Sequence, residues 1–183
     1  MLLDILSKRL QYRQINAEDW PFFLALQQDD QVMQFVADPK PEAVIRRERF
    51  EVRLPQWHTD SSHWLCLVMM EKGSVVPLGV TGFIDRGDGI AEVGFMLATS
   101  AQGKGFGAES LRDISQFALM DVGYRKLVAT VTAGNQASRR TLLKVGFQQE
   151  GTLRKSYFLG GEWRDDWLFG LLAEEFHAEL LRK

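Results

Sequence analysis

The sequence predicts a mixed α/β domain on one mainly antiparallel sheet, and three observations carry that prediction. A glycine-rich turn, Gln102-Gly103-Lys104-Gly105-Phe106-Gly107-Ala108, joins a strand-like run to a helical one. Three strand-like runs from His63 to Ala98 are separated only by turn signals, the pattern of an antiparallel meander. Near the end, Gly160-Gly161 joins two more strand-like runs as a two-residue hairpin turn. With 183 residues the chain is long enough for one domain with a full core, so residues 1–183 are read as a single domain.

The elements follow in order. Arg9 to Ile15 alternates, with Leu10, Tyr12 and Gln14 on one side, and reads as an opening strand. Asn16 is a fitting N-cap for a helix that begins Ala17-Glu18-Asp19-Trp20, where two early acids favour the helix dipole. Asp38-Pro39-Lys40-Pro41 breaks the chain. A second helix is predicted from Glu42 to Trp57, with Val44, Ile45, Phe50 and Leu54 as its apolar members. The meander comes next: His63 to Met70, Pro77 to Ile84, and Ile90 to Ala98. A helix follows the glycine turn to about Met120, with Gly123 placed to end it in the left-handed conformation. Lys126 to Thr132 is a strand, Gln136 to Val145 a helix closed by Gly146, and Phe147 to Leu159 and Glu162 to Leu172 form the hairpin.

Composition excludes several classes. Apolar content of 45% and charged content of 25% are those of a soluble globular protein. No apolar stretch approaches the ~20 residues that span a bilayer, so no membrane partner is expected. Met1 to Arg9 has neither a basic leader nor a small-residue cleavage site, so no secretion signal is expected. One cysteine forbids an internal disulfide and suits a reducing cytosol; a cytoplasmic location is expected. A net charge of −2 with no long run of one sign argues against direct nucleic-acid binding. His58, His63 and Cys66 match no zinc spacing, so no metal is expected.

The glycine turn carries the functional signal. A helix N-terminus offers backbone N–H groups without intrahelical partners and a partial positive charge, which together suit a phosphate. Two fingerprints compete. Gly103, Gly105 and Ala108 fit the dinucleotide pattern G-x-G-x-x-G/A, and Gln102, Gly105 and Gly107 fit Q/R-x-x-G-x-G/A. A dinucleotide fold opens with its glycine turn and ends the next strand in an acid. Here about half the chain precedes the turn, and the next strand runs into Ala133-Gly134-Asn135 without a carboxylate.

From Ile90 to the hairpin the chain resembles the GNAT acetyltransferases, and within them the ribosomal-protein N-terminal acetyltransferase branch. The shared stretches are Ala91-Glu92-Val93-Gly94-Phe95-Met96-Leu97, Gln102 to Ala108, Asn135-Gln136-Ala137-Ser138, Leu143-Lys144-Val145-Gly146-Phe147 and Gly161-Glu162-Trp163-Arg164-Asp165. The resemblance implies a GNAT fold: helices on both faces of a sheet splayed between the Ile90–Ala98 and Lys126–Thr132 strands, with the pantetheine arm of acetyl-CoA in the wedge. It implies acetyl transfer to a primary amine, either a protein α-amino group (a ribosomal protein among the possible partners) or the amine of a small molecule or antibiotic. The subunit would be a monomer or homodimer. A bulge or kink near Gly94 or Phe95 would explain the splay; a glycine serving only close packing is the alternative. Non-catalytic acyl-CoA binding is the rival reading.

The same resemblance implies the site residues. Phe95, Met96 and Leu97 would offer backbone groups to the pantetheine, and the N–H of Met96 or Leu97 would face the developing oxyanion. Gln102, Gly103, Lys104, Gly105, Phe106, Gly107 and Ala108 would hold the pyrophosphate. Lys104 and Arg139 are placed to meet phosphates. Glu92 would take the amine's proton, unless it is merely an exposed strand glutamate. Asn135 would bond the pantetheine amides and Ser138 would stand near the thiol as proton donor, although both residue types also cap helices. Many relatives carry a tyrosine on this helix as the acid; Thr141-Leu142-Leu143 stand there in this chain. Cys66 lies in an apolar strand and reads as a buried thiol rather than a nucleophile, which favours direct transfer in a ternary complex. Trp163 and Tyr157 on the hairpin are candidates for the wall of a peptide groove.

Overall fold

The computed structural model describes residues 5–180; Met1 to Asp4, the start of the segment read for a leader, and residues 181–183 lie outside the described residues. Seven strands form one sheet: β1 (Leu10–Gln14), β2 (Leu65–Glu71), β3 (Pro77–Asp85), β4 (Ile90–Leu97), β5 (Lys126–Thr132), β6 (Gln148–Leu159) and β7 (Glu162–Leu172). Their order is β1-β2-β3-β4-β5-β7-β6, and every neighbouring pair is antiparallel except β4 with β5. Because side chains alternate along a strand, β2 sends Leu65 and Leu67 to one face and Cys66 and Val68 to the other. Each set joins a different core.

On the first face Leu65, Leu67, Phe83 and Val93 pack against Leu111 and Ile114 of α4 (Phe106–Gln116), Leu142 and Val145 of α5 (Gln136–Val145) and Phe176 of α6 (Ala173–Leu180). On the second face Cys66, Val68 and Val80 pack against Phe23 and Leu26 of α1 (Trp20–Gln28), Ile45 of α3 (Glu42–Ile45) and Phe50. A short α2 (Asp30–Met33) follows α1 after Asp29, whose carboxylate caps it. Helices therefore cover both faces, as the resemblance implied.

Most predicted elements are present, and the differences have local causes. Asn16 caps as expected, in a reciprocal box with Asp19, but the first turn is 3₁₀ over Ala17–Asp19 before α1 begins at Trp20. The helix predicted from Glu42 to Trp57 stops at Arg53, after a wide turn over Arg46–Phe50 and a 3₁₀ turn over Glu51–Arg53. Pro55 disfavours helical geometry at Leu54 and ends it; Trp57 is buried from the loop beyond. The helix after the glycine turn continues past Gln116 through a wide turn, Phe117–Val122, and Gly123 closes it at φ 93°.

The bulge expected near Gly94 is not there on the β3 side. β4 pairs with β3 in unbroken register from Ala91 to Leu97, with Gly94 opposite Gly82. Gly82 needs its glycine: it sits at φ 153°, and a Cβ would lie 1.8 Å from the Leu65 carbonyl oxygen. We expect Gly82→Ala to cost about 2–3 kcal/mol, read as a lowered Tm, because backbone rather than a flexible side chain fills the space. An unchanged Tm would show that β2 and β3 are not this close.

Candidate active site

The site begins where β4 and β5 part. They pair in parallel only at Ile90–Lys126, Ala91–Leu127 and Glu92–Val128. Beyond that, β5 stays bonded to β7 as far as Thr132–Asp166, while β4 stays with β3 as far as Leu97–Gly79. Each strand follows its outer partner and a wedge opens between them. The N–H of Ala98 donates to the Leu78 carbonyl at 2.9 Å, which sets the parity of the ladder. Bonded pairs alternate in an antiparallel ladder, so the N–H groups of Met96 and Gly94 turn to β3 and those of Phe95 and Leu97 turn into the wedge.

The glycine turn sits at the end of this wedge. Gly103 (φ 73°) and Gly105 (φ 82°) adopt left-handed conformations, and Gly105 is the N-cap of α4. Among the described residues, no backbone acceptor meets the N–H groups of Gly103 to Ala108. Gly107 packs closely: a Cβ there would lie 3.2 Å from Leu97 Cδ1 and 3.5 Å from Phe95 Cε2. Gln102 Nε2 donates to the Leu97 carbonyl at 3.2 Å, tying the turn to the end of β4. Arg9 holds the turn from outside. It donates to the Lys104 carbonyl (3.1 Å) and, through its Nε, to Glu109 of α4 (2.7 Å), while its guanidinium lies over the Phe106 ring at 4.6 Å.

Two cavities meet across the wedge. The larger, of about 620 Å³, runs along Gln102–Ala108 (except Lys104) and the start of α5. The other, of about 380 Å³, is lined by Glu92, Gly94, Cys66, Arg53, Tyr157 and Asp166, among others. Phe95, Met96, Asn135 and Ser138 border both. The facing glycines explain the second cavity: Gly82 and Gly94 oppose each other on the sheet beside Cys66, and neither brings a side chain to fill the gap. The Trp64 ring stands 3.4 Å from where a Gly94 Cβ would be and forms a wall.

The roof comes from the loop between α2 and α3. Tyr157 Oη donates to the Val36 carbonyl at 2.8 Å, and Asp38 accepts from the Gly160 N–H at 2.9 Å. A bulge in β6 makes this reach possible: Leu153 pairs with Asp166 but Tyr157 pairs with Arg164, so three residues of β6 stand opposite Asp165 alone. One of them, Lys155, has φ 49°.

The predicted residues are brought together unevenly. Glu92 lines the second cavity, but its carboxylate is held by Arg86, with Nε at 2.7 Å and Nη2 at 2.5 Å from Oε2. Asn135 caps α5, its Oδ1 accepting from the Ser138 N–H at 3.1 Å, and both residues border the wedge as well. Lys104 is exposed and outside the cavity lining. Arg139 turns away to stack over Trp167 (5.6 Å) and to donate to Gln149; Arg140 and Lys144, one and five residues on, border the larger cavity instead. Trp163 is 58% exposed and stacks on Phe158 at the hairpin tip, so Tyr157 alone of the aromatic pair lines the cavity. Burial pushes the Cys66 thiol up to about 12, which leaves it protonated at neutral pH.

The family model of the acetyltransferase (GNAT) domain matches residues 9–148. The chain belongs to the GNAT acetyltransferases. It is 30% identical over 175 residues, covering 93% of each chain, to YokL of Bacillus subtilis, an uncharacterized prophage-derived N-acetyltransferase. A solved GNAT-family acetyltransferase from Bacillus anthracis superposes with a TM-score of 0.80 at 21% identity, over 93% of this chain and 99% of that one. The spermidine N-acetyltransferase of Vibrio cholerae, solved with CoA and spermine, gives 0.75 at 18% identity, over 92% and 98%.

GNAT acetyltransferases use acetyl-CoA, and the residues present fit it. The bare N–H groups of Gly103–Ala108 suit a pyrophosphate, and those of Phe95 and Leu97 suit an arm laid in the wedge like an added strand. Sequence reasoning missed Arg9, Arg53, Arg86, Asp166 and the Phe35–Asp38 roof. Arg9, Arg53 and the roof lie far along the chain from the motifs; Arg86 and Asp166 lie close to them, and the β3–β4 turn and the sheet register turn them to the site. We expect Gly105→Val to weaken CoA binding by at least ~10-fold with the fold retained, since a β-branched residue resists φ 82°. Calorimetry with CoA checks this, and unchanged affinity would contradict the assignment of the turn.

Proposed function

We propose that this chain transfers an acetyl group from acetyl-CoA to a single primary amine, the α-amino group of a protein or peptide before any other, by direct transfer in a ternary complex. The observation that carries the reading is the wedge, which joins an anion-binding helix N-terminus to a carboxylate-bearing cavity through two bare amides. Bound along it, acetyl-CoA supplies an activated acyl group that an amine in the second cavity attacks.

The chain's own residues divide the remaining work. Leu97 rather than Met96 offers its N–H to an acyl oxygen, because the Met96 N–H belongs to the β3 ladder. Glu92 accepts the amine's proton through Oε1 or a water, since Arg86 occupies Oε2. Ser138, at the junction of the two cavities, is the candidate to protonate the departing thiolate. Tyr157 brings a phenol to the lining but is already donating to the Val36 carbonyl. Phe35 and Val36 roof the wedge and exclude water.

An α-amino acceptor suits this site better than a polyamine. An α-amino group has a pKa of about 8 against about 10.4 for a lysine-type amine, so less work falls on the base. A polyamine carries several positive charges, and this cavity meets them with Arg53 on one wall and with a Glu92 already paired to Arg86. The Vibrio cholerae neighbour, solved with CoA and spermine, keeps the polyamine as a second reading. The resemblance to the ribosomal-protein branch makes a ribosomal protein in the cytoplasm the first partner to try.

An intact-mass screen with acetyl-CoA, using peptides beginning Ala, Ser or Met beside polyamines and aminoglycosides, tests the reading. We expect acetylation of peptides, lowered by roughly 10²–10⁴-fold in kcat/KM for Glu92→Gln. Cys66→Ala should keep turnover with no acyl-enzyme mass. Turnover of polyamines alone, or none on any amine despite tight CoA binding, would overturn it.

A further inference from the structure

Arg53 carries a positive charge into the second cavity, and among the described residues no carboxylate forms an ion pair with it. It lies one helical turn after Arg49, at the end of the segment that covers Cys66. The outward arginines of that segment are paired, Arg46 with Glu51 and Arg47 with Glu48. The inward two are not. Arg53 Nη1 donates to the Arg49 carbonyl, and its guanidinium lies 5.8 Å from the centre of the Phe23 ring. Arg49 Nη1 donates at 2.6 Å to Gln27 Oε1, a neutral amide whose Nε2 reaches Met96 Sδ at 3.5 Å. Among the described residues, no carboxylate pairs with either guanidinium.

That arrangement is costly as it stands. Like charges four residues apart on a helix repel, and a desolvated cation without a counter-ion loses hydration it does not regain. Burial lowers the pKa of Arg53, the sign of that loss. The neighbouring Cys66 thiol is protonated and brings no compensating charge. Asp19, nearby on the same face, is already forked by Arg13 at 2.7 Å. Across the cavity stands Asp166, bonded to the hydroxyls of Ser156 (2.6 Å) and Thr132 (3.3 Å), with Glu92 beside Arg86. The cavity is dipolar, with a cation on its helical wall and carboxylates on its sheet wall.

We propose that Arg53 receives a carboxylate of the acceptor, so that the enzyme selects amines bearing an acid close by. The acid is either an acidic side chain at the first or second position of a peptide, or the α-carboxylate of a free amino acid. The amine then lies toward Glu92 and Asp166. This deepens the acceptor reading above and rests on it. A guanidinium takes a carboxylate through two parallel hydrogen bonds, which would fix the orientation of the amine as well as hold it. It repels a polyamine.

Matched acceptors test the proposal: peptides led by Ser-Glu against Ser-Gln, and free aspartate and glutamate against their amides and methyl esters, with wild type, Arg53→Gln and Arg53→Lys. The acid of each pair is expected to win by at least ~10-fold in kcat/KM, mainly through KM. Arg53→Gln should abolish the preference, Arg53→Lys should restore part of it, and CoA affinity should not move. The two arms separate peptide from amino acid as the source. Free of ligand, Arg53→Gln should keep or raise the Tm, because an unpaired cation is removed. Equal turnover within the pairs, or a preference that survives Arg53→Gln, overturns the proposal. Should no amine be acetylated, the transfer reading falls, and calorimetry with N-acetylaspartate and its diamide decides this one. Binding of the acid alone, lost in Arg53→Gln, upholds it; equal or absent binding of the acid overturns it.

Discussion

Everything that gives this molecule a site follows from a competition for hydrogen bonds along β4. Its inner neighbour β5 holds it for only three positions, whereas β3 holds it along its whole length. β5 in turn is bound to β7 at seven positions. An unpaired buried amide costs free energy comparable to a lost hydrogen bond, so strands do not part without partners elsewhere. Here the outer neighbours keep most of the ladder, and the amides of Phe95 and Leu97 are left for something that behaves as a short strand. The divergence needs no bulge in β4. It needs only that each strand stay with its outer partner.

The cores show what packs on each half. The β1–β4 half is clamped between α1–α3 on one face and α4 on the other, and the Arg9–Glu109 pair locks β1 to the first turn of α4. The β5–β7 half contacts α5 and α6, and on that face one continuous core runs under both halves. The Tyr157–Val36 and Asp38–Gly160 hydrogen bonds then bridge the halves over the gap. The roof is thus a tether as well as a lid: it fixes the width of a wedge that the sheet itself leaves open.

The sequence made the local parts of this legible. Gln102–Ala108 announced its geometry because only glycine reaches the φ values of Gly103 and Gly105 without strain. Gly123, Gly146 and Gly160-Gly161 marked their ends and turn for the same reason. The limit of the α3 segment was also written in the chain, in Pro55, although the apolar spacing of Val44, Ile45, Phe50 and Leu54 points to a longer helix. What could not be read was everything set by strand register and by packing between segments. The parity that gives Leu97 rather than Met96 a bare N–H depends on how β4 meets β3. The pairing of Arg86 with Glu92 depends on the β3–β4 turn. Arg53 enters the cavity because its segment lies across Cys66, a relation between residues that no motif spans. The bulge that lifts Tyr157 to the roof left no glycine or proline to signal it.

The most direct test of the central claim is amide hydrogen exchange, followed residue by residue by NMR, with and without CoA. The N–H groups of Phe95, Leu97 and Gly103 to Ala108 should exchange faster than their neighbours in the free protein and slow markedly when CoA is added. Those of Gly94 and Met96, already bonded to β3, should be slow in both states. Equal protection of Phe95, Met96 and Leu97 in the free protein, or protection by CoA that falls elsewhere, would contradict the account.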